Sequence, residues 1–142
     1  MAHDINPGIP IGERPADASL ITYTNVIYAL HALSVVIGLT TAVTVVGSFV
    51  FGLPSIVAVI MNYVRQRDAR GTFLESHFRW QIRTFWWAVL WAIVVYAVSL
   101  PLMLVLVGFA TLWLGVGLLA VWLTYRVLRG WLALRDRRRM YV

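Results

Sequence analysis

Two long apolar blocks, separated by one dense polar stretch, set the pattern of the chain. Neither Leu20 to Val64 nor Thr84 to Tyr125 carries a formally charged side chain at neutral pH. A membrane helix needs about 20 residues to cross about 30 Å of hydrocarbon, so each block is too long for one crossing and long enough for two. The first block divides near Thr40 to Gly47, where Thr40, Thr41, Thr44 and Gly47 weaken the apolar pattern. This predicts helices over about 21–40 and 44–64. The second divides near Val105 to Phe109 and predicts helices over about 84–105 and 109–128. Ser34, Gly38 and Ala42 place a small residue at every fourth position, the spacing that lets membrane helices approach closely. Pro54 and Pro101 are expected to bend the second and third helices.

The polar stretch, Arg65 to Trp87, has its own organisation. Gly71 ends a basic run, and Thr72 and Glu75 have capping-box spacing, which predicts a helix over about 72–83. Along it Glu75, Arg79 and Arg83 share one face, with Leu74, Phe78, Ile82 and Phe85 beside them, the pattern of a helix lying on an interface. Trp80, Trp86 and Trp87 mark where this helix enters the bilayer, because an apolar ring with one polar N–H suits the headgroup boundary. Trp91 and Trp122 lie deeper and are expected to pack helix on helix. The predicted fold is therefore an all-α integral membrane protein, with four transmembrane helices as two antiparallel hairpins and an amphipathic interfacial helix before the third. It occupies about 20–129, between a flexible tail over 1–19 that holds Pro7, Pro10 and Pro15 and a basic tail over 130–142.

Composition agrees with this class, since 61% hydrophobic residues and a mean hydropathy of +0.79 are far from a soluble domain's balance. All twelve basic residues are arginine, against six acids. Such a balance in a soluble protein would suggest nucleic acid, but here the arginines flank apolar spans, where they act as topology signals and contacts to anionic lipid. Arg65, Arg67, Arg70, Arg79, Arg83, Arg126 and Arg129 fall on one side if there are four spans, together with the closing arginines. Both termini and the central loop are then expected in the cytoplasm of a bacterial inner membrane. The start lacks the pattern of a cleaved signal peptide, so the N-terminus is expected to be retained. Without cysteine there is neither a disulfide nor a thiolate ligand.

The chemistry is sparse. The acids Asp4, Glu13, Asp17, Asp68, Glu75 and Asp136 all lie outside the expected spans, so no carboxylate pair and no intramembrane acid relay can be drawn. The histidines His3, His31 and His77 lack zinc-site spacing, and no Gly-rich phosphate loop occurs. No enzyme, metal or cofactor is expected. His31 is the one histidine or acid inside an expected span, with Asn25 nearby and Tyr28 and Thr24 on its face. It is either a polar point in a transport path or a histidine hydrogen-bonded to a neighbouring helix. Glu75, His77, Arg79 and Gln81 could form a polar surface site for lipid phosphate or a partner, or simply a solvated helix face.

Asn62-Tyr63-Val64, Arg70-Gly71-Thr72, the run Leu74 to Trp86, Trp131-Leu132-Ala133-Leu134 and Arg139-Met140 resemble a family of small bacterial inner-membrane proteins known only as a domain of unknown function. That family is placed near the twenty-kilodalton membrane component of the chloroplast inner-envelope protein import translocon. The similarity covers about 23–141. It implies a four-helix membrane protein with a surface helix before the third span, and it implies no activity. Two functions are expected. One is a structural or accessory subunit that forms a homo-oligomer or docks on a larger membrane complex and binds anionic phospholipid. The alternative is a homo-oligomeric channel or transporter with His31 and Asn25 near the path.

Overall fold

The structure, a computed structural model, describes residues 13–41 and 45–140. The expected tail over 1–12, the turn residues 42–44 with Ala42 of the small-residue series, and 141–142 lie outside the described residues. Among the described residues the chain forms four α-helices, α1 (Ala18–Thr41), α2 (Val45–Arg65), α3 (Leu74–Leu102) and α4 (Val107–Arg135), with a 3-10 turn at Met103–Val105. A sequence this rich in Val and Ile would favour strands in water. In hydrocarbon each backbone amide must be bonded within its own segment, and the helix does that. α1, α3 and α4 are long and apolar enough to cross a membrane.

Local chemistry explains the helix ends. Asp17 opens α1, accepting the Ser19 amide at 3.2 Å and the Ser19 hydroxyl at 2.8 Å. These bonds hold its carboxyl below the usual carboxylate range, so the cap is intact at neutral pH and is lost only as pH falls through that lowered value. At α3 the Thr72 hydroxyl accepts the Leu74 amide at 3.2 Å, and Glu75 accepts the Gly71 amide at 3.0 Å. Thr72 and Glu75 thus each satisfy an amide at this helix start, but not each other's: the reciprocal box does not form, Phe73 is the cap residue, and the helix begins at Leu74. α4 ends in a Schellman motif: the Arg137 amide bonds the Leu134 carbonyl and the Arg138 amide bonds that of Ala133. Arg137 takes the left-handed position, φ 52°, usually given to glycine.

Three sequence expectations change. The interfacial helix over 72–83 and the third span over 84–105 are one uninterrupted helix, α3, because nothing in Leu74–Leu102 breaks the backbone ladder before Pro101. Residues 13–17, assigned to a flexible tail, are docked: the Arg14 amide bonds the Gly71 carbonyl at 2.9 Å, its guanidinium bonds the Arg70 carbonyl, and Glu13 pairs with Arg139. α4 continues past 128 to Arg135, and Met140 folds back to a buried position where its amide bonds Ser76 Oγ at 3.0 Å. The N-terminal segment, the loop over 66–73 and the C-terminal segment therefore meet at one end of the bundle.

α1 packs most extensively on α2, and α3 on α4. His31 against Ser55 and Tyr23 against Met61 set the first pair; Thr84 against Arg126 and Ser99 against Thr111 set the second. The two pairs are staggered. Tyr28 of α1 is level with His77 in the first turn of α3. From that level α1 rises about 20 Å to Thr41 while α3 rises about 38 Å to Leu102, so α3 and α4 project roughly 18 Å further as a two-helix arm. Burial shows the same thing, since beyond Thr84 the one buried residue of α3 is Ser99, at the turn. Trp91, expected in helix packing, is exposed on this arm because no third helix reaches it; Trp122 is half-buried against the core.

Close approach depends on particular glycines. A Cβ at Gly115 would lie 2.7 Å from Val95 Cγ1, and one at Gly130 would lie 2.5 Å from the Tyr28 hydroxyl oxygen. Gly130→Ala forces the Tyr28 ring aside, and we expect it to destabilise the fold by about 1–3 kcal/mol, read from thermal unfolding in mild detergent. Gly71 sits at φ 75°, and its Cβ would lie 3.3 Å from Arg14 Nε. Gly71→Ala should cost about 1 kcal/mol and leave the N-terminal segment open to limited proteolysis at Arg14.

Candidate functional site

The buried polar groups of the base form a connected seam. His77, in the first turn of α3, is fully buried. Its Nε2 lies 2.7 Å from the Arg138 carbonyl, which can only accept, so Nε2 carries the proton. Nδ1 is then the acceptor, and the Tyr28 hydroxyl donates to it across 2.9 Å. The rings of Tyr28 and Phe73 meet His77 edge-on at 6.0 Å. One imidazole thus ties α1, α3 and the segment after α4. Gln81, one turn on, is also buried, and its side-chain amide has no hydrogen-bond partner among the described residues.

A second cluster lies where α3 meets the end of α4. Arg126 stacks on Trp80, 3.8 Å from the ring centroid, with Trp122 at 5.1 Å. Its Nε donates to Thr84 Oγ1 at 2.8 Å, and the Trp80 indole N–H donates to the Arg126 carbonyl at 3.3 Å. Arg129 lies 5.9 Å from the centroid of the same Trp80 ring and donates to the Tyr125 hydroxyl at 2.9 Å; Arg129 and Arg83, the residue before Thr84, are both exposed. Trp80, expected in the interfacial belt, is buried instead, because its indole closes the α3–α4 contact.

The other sequence candidates separate. His31 is buried and its Nδ1 is hydrogen-bonded to Ser55 Oγ of α2 at 3.1 Å, the expected bond to a neighbouring helix, while Nε2 meets no protein group. Asn25 accepts the Trp131 indole N–H at 3.1 Å and donates to the Ile21 carbonyl, so it joins α1 to α4. Arg65 pairs with Asp68 at 2.9 Å and lies 5.1 Å over the Tyr23 ring. Arg67 and Arg70 are exposed in the loop, and Arg79 pairs with Glu75 at 3.5 Å. His77 and Gln81, expected at the surface, are inside the bundle, because α1 and the C-terminal segment cover that face of α3.

The sequence missed Asn62, whose fully buried amide makes no hydrogen bond, and the docking roles of Ser76 and Arg138. Asn62 could have been suspected, as a lone amide in an apolar run; the other contacts span more than sixty residues and left no local signal. No acid lies in the seam among the described buried residues. Nothing in the seam can act as a carboxylate base; it can bind, orient or pass polar species.

Compared with protein-family models, with described proteins and with solved structures, the chain matches none. Its function must be argued from its own residues. Tyr28→Phe leaves His77 Nδ1 buried without a donor, and should lower stability by about 1–3 kcal/mol. Tyr28→Phe and His77→Phe combined should cost clearly less than the sum of the two single changes, measured by a double-mutant cycle in detergent.

Proposed function

We propose that the protein is a small integral membrane protein of the bacterial inner membrane that serves as a structural or accessory subunit. Its four helices are read as two antiparallel hairpins, with both termini and the central loop on the cytoplasmic side. One observation carries this reading: a bare apolar arm rises from a base at whose end the arginine-rich segments meet. Leu90, Ile93, Val98, Leu100 and Leu114 are all exposed there, and water would oppose such a surface while acyl chains or another apolar helix would cover it. Arginine at the other end suits anionic headgroups and retention in the cytoplasm. The likeness in sequence to the small bacterial inner-membrane family points the same way.

Native mass spectrometry after mild extraction tests the proposal. An assembly heavier than the 16.1 kDa chain, as a homo-oligomer of defined copy number or with a second polypeptide, is the expected result. A chain that is always alone would overturn it.

A channel is the second reading, supported by the unbonded buried groups His31 Nε2 and Asn62. For a channel, His31→Leu abolishes flux in proteoliposomes while the assembly stays intact. For a structural subunit, it weakens assembly and leaves flux at background.

A further inference from the structure

We propose that Arg83, Arg126 and Arg129 form a defined site for the phosphodiester of an anionic phospholipid, with the acyl chains lying along the arm above it. This rests on the membrane placement proposed above and gives it a specific ligand. The first support is charge. Arg129 lies over the same Trp80 ring as Arg126, 5.9 Å from its centroid, Arg83 directly precedes the Thr84 that holds Arg126, and among the described residues neither Arg83 nor Arg129 is in an ion pair. Five of the other nine arginines, Arg65, Arg79, Arg135, Arg138 and Arg139, have a carboxylate within ion-pair range, whereas Arg14, Arg67, Arg70 and Arg137 have none among the described residues; what sets Arg126 and Arg129 apart is that both lie over the Trp80 ring. Three cations held together without an acid repel one another until an anion joins them, and a phosphodiester supplies one negative charge and two free oxygens suited to guanidinium forks.

The second support is preorganisation. Arg126 is fixed before any ligand arrives, its plane on Trp80 and its Nε on Thr84 Oγ1, while Nη2 is turned inward without a partner. Nη1 is therefore the edge that it offers outward. A guanidinium locked this way gives up little side-chain freedom on binding.

The third support tells a lipid from free phosphate. From Arg83 the same face of α3 continues through Trp87, Trp91 and Val94, all exposed, and from Arg129 the face of α4 continues through Tyr125, Val121 and Leu118, also exposed. Two apolar stripes thus rise from the cation cluster along an arm that no other helix covers. A diacyl lipid fits both parts at once; inorganic phosphate uses only the first.

The test is native mass spectrometry of the full chain in phosphatidylcholine nanodiscs titrated with phosphatidylglycerol. Retention of phosphatidylglycerol over phosphatidylcholine is expected. Arg83→Gln with Arg129→Gln, two exposed side chains outside the core, should lower that preference about tenfold, whereas the charge-matched control Arg67→Gln with Arg70→Gln should leave it nearly unchanged. Arg126→Lys, which keeps the charge but loses the contact with Trp80 and the bond to Thr84 that hold the cation in place, should lower it as well. Equal losses in both double variants would mean diffuse attraction and overturn the site. Displacement by millimolar inorganic phosphate would assign it to free phosphate and overturn the lipid. A wild-type chain that inserts and takes both lipids equally overturns this inference alone, whereas failure to insert removes the membrane placement itself.

Discussion

The imidazole of His77 is the joint on which the base of the molecule depends. Its two nitrogens face opposite ways, one accepting from Tyr28 on the first helix and the other donating to the carbonyl of Arg138 beyond the last. Because both bonds are buried, each protects the other from water, and losing either leaves a polar atom enclosed without a mate. Around this joint the remaining ties fall into place. Gly130 clears room for the Tyr28 ring, Trp131 bonds Asn25, and the returning C-terminal segment puts the Met140 amide on Ser76. Gly71, in its left-handed conformation, bends the central loop so that its carbonyl meets the Arg14 amide.

Polar bonding is concentrated at one end, which leaves the other half of α3 and α4 to dispersion and to whatever surrounds it. Among the described residues the arm has one interhelical hydrogen bond between side chains, Ser99 with Thr111, and a close approach of Gly115 to the Val95 side chain. Its outer surface is Trp, Leu, Val and Ile. In water such a hairpin would be an aggregation hazard. In a bilayer it is an ordinary pair of spans with small residues at the contact. The stagger between the helix pairs therefore divides the molecule into a bonded base, where the arginines gather, and a bare apolar arm.

Arginine is used in three distinct ways here. Arg65 and Arg79 close short ion pairs along the chain, contributing little energy because water screens them. Arg14 and Arg139 fasten the ends of the chain, through the Arg70 carbonyl and the Glu13 carboxylate. Arg126 is held by two indole rings and a hydroxyl, with Arg129 over one of the same rings. Nothing in the count of twelve basic residues distinguishes these uses.

Much of the helical architecture was legible in the residues alone. Uncharged blocks of more than forty residues determine helix in a hydrophobic medium, since a backbone there must bond to itself. That Thr72 and Glu75 satisfy amides at a helix start was readable too, because the bonds join neighbours two and four residues apart. Tertiary structure decided what periodicity cannot carry. It merged the surface helix with the third span, buried His77, Gln81 and Trp80 by laying other elements over them, and shifted one helix pair against the other. Those outcomes depend on contacts between residues forty to a hundred positions apart, such as Tyr28 with His77 and Asn25 with Trp131. The hydrophobic pattern states which side chains avoid water, but only packing states which of them find each other.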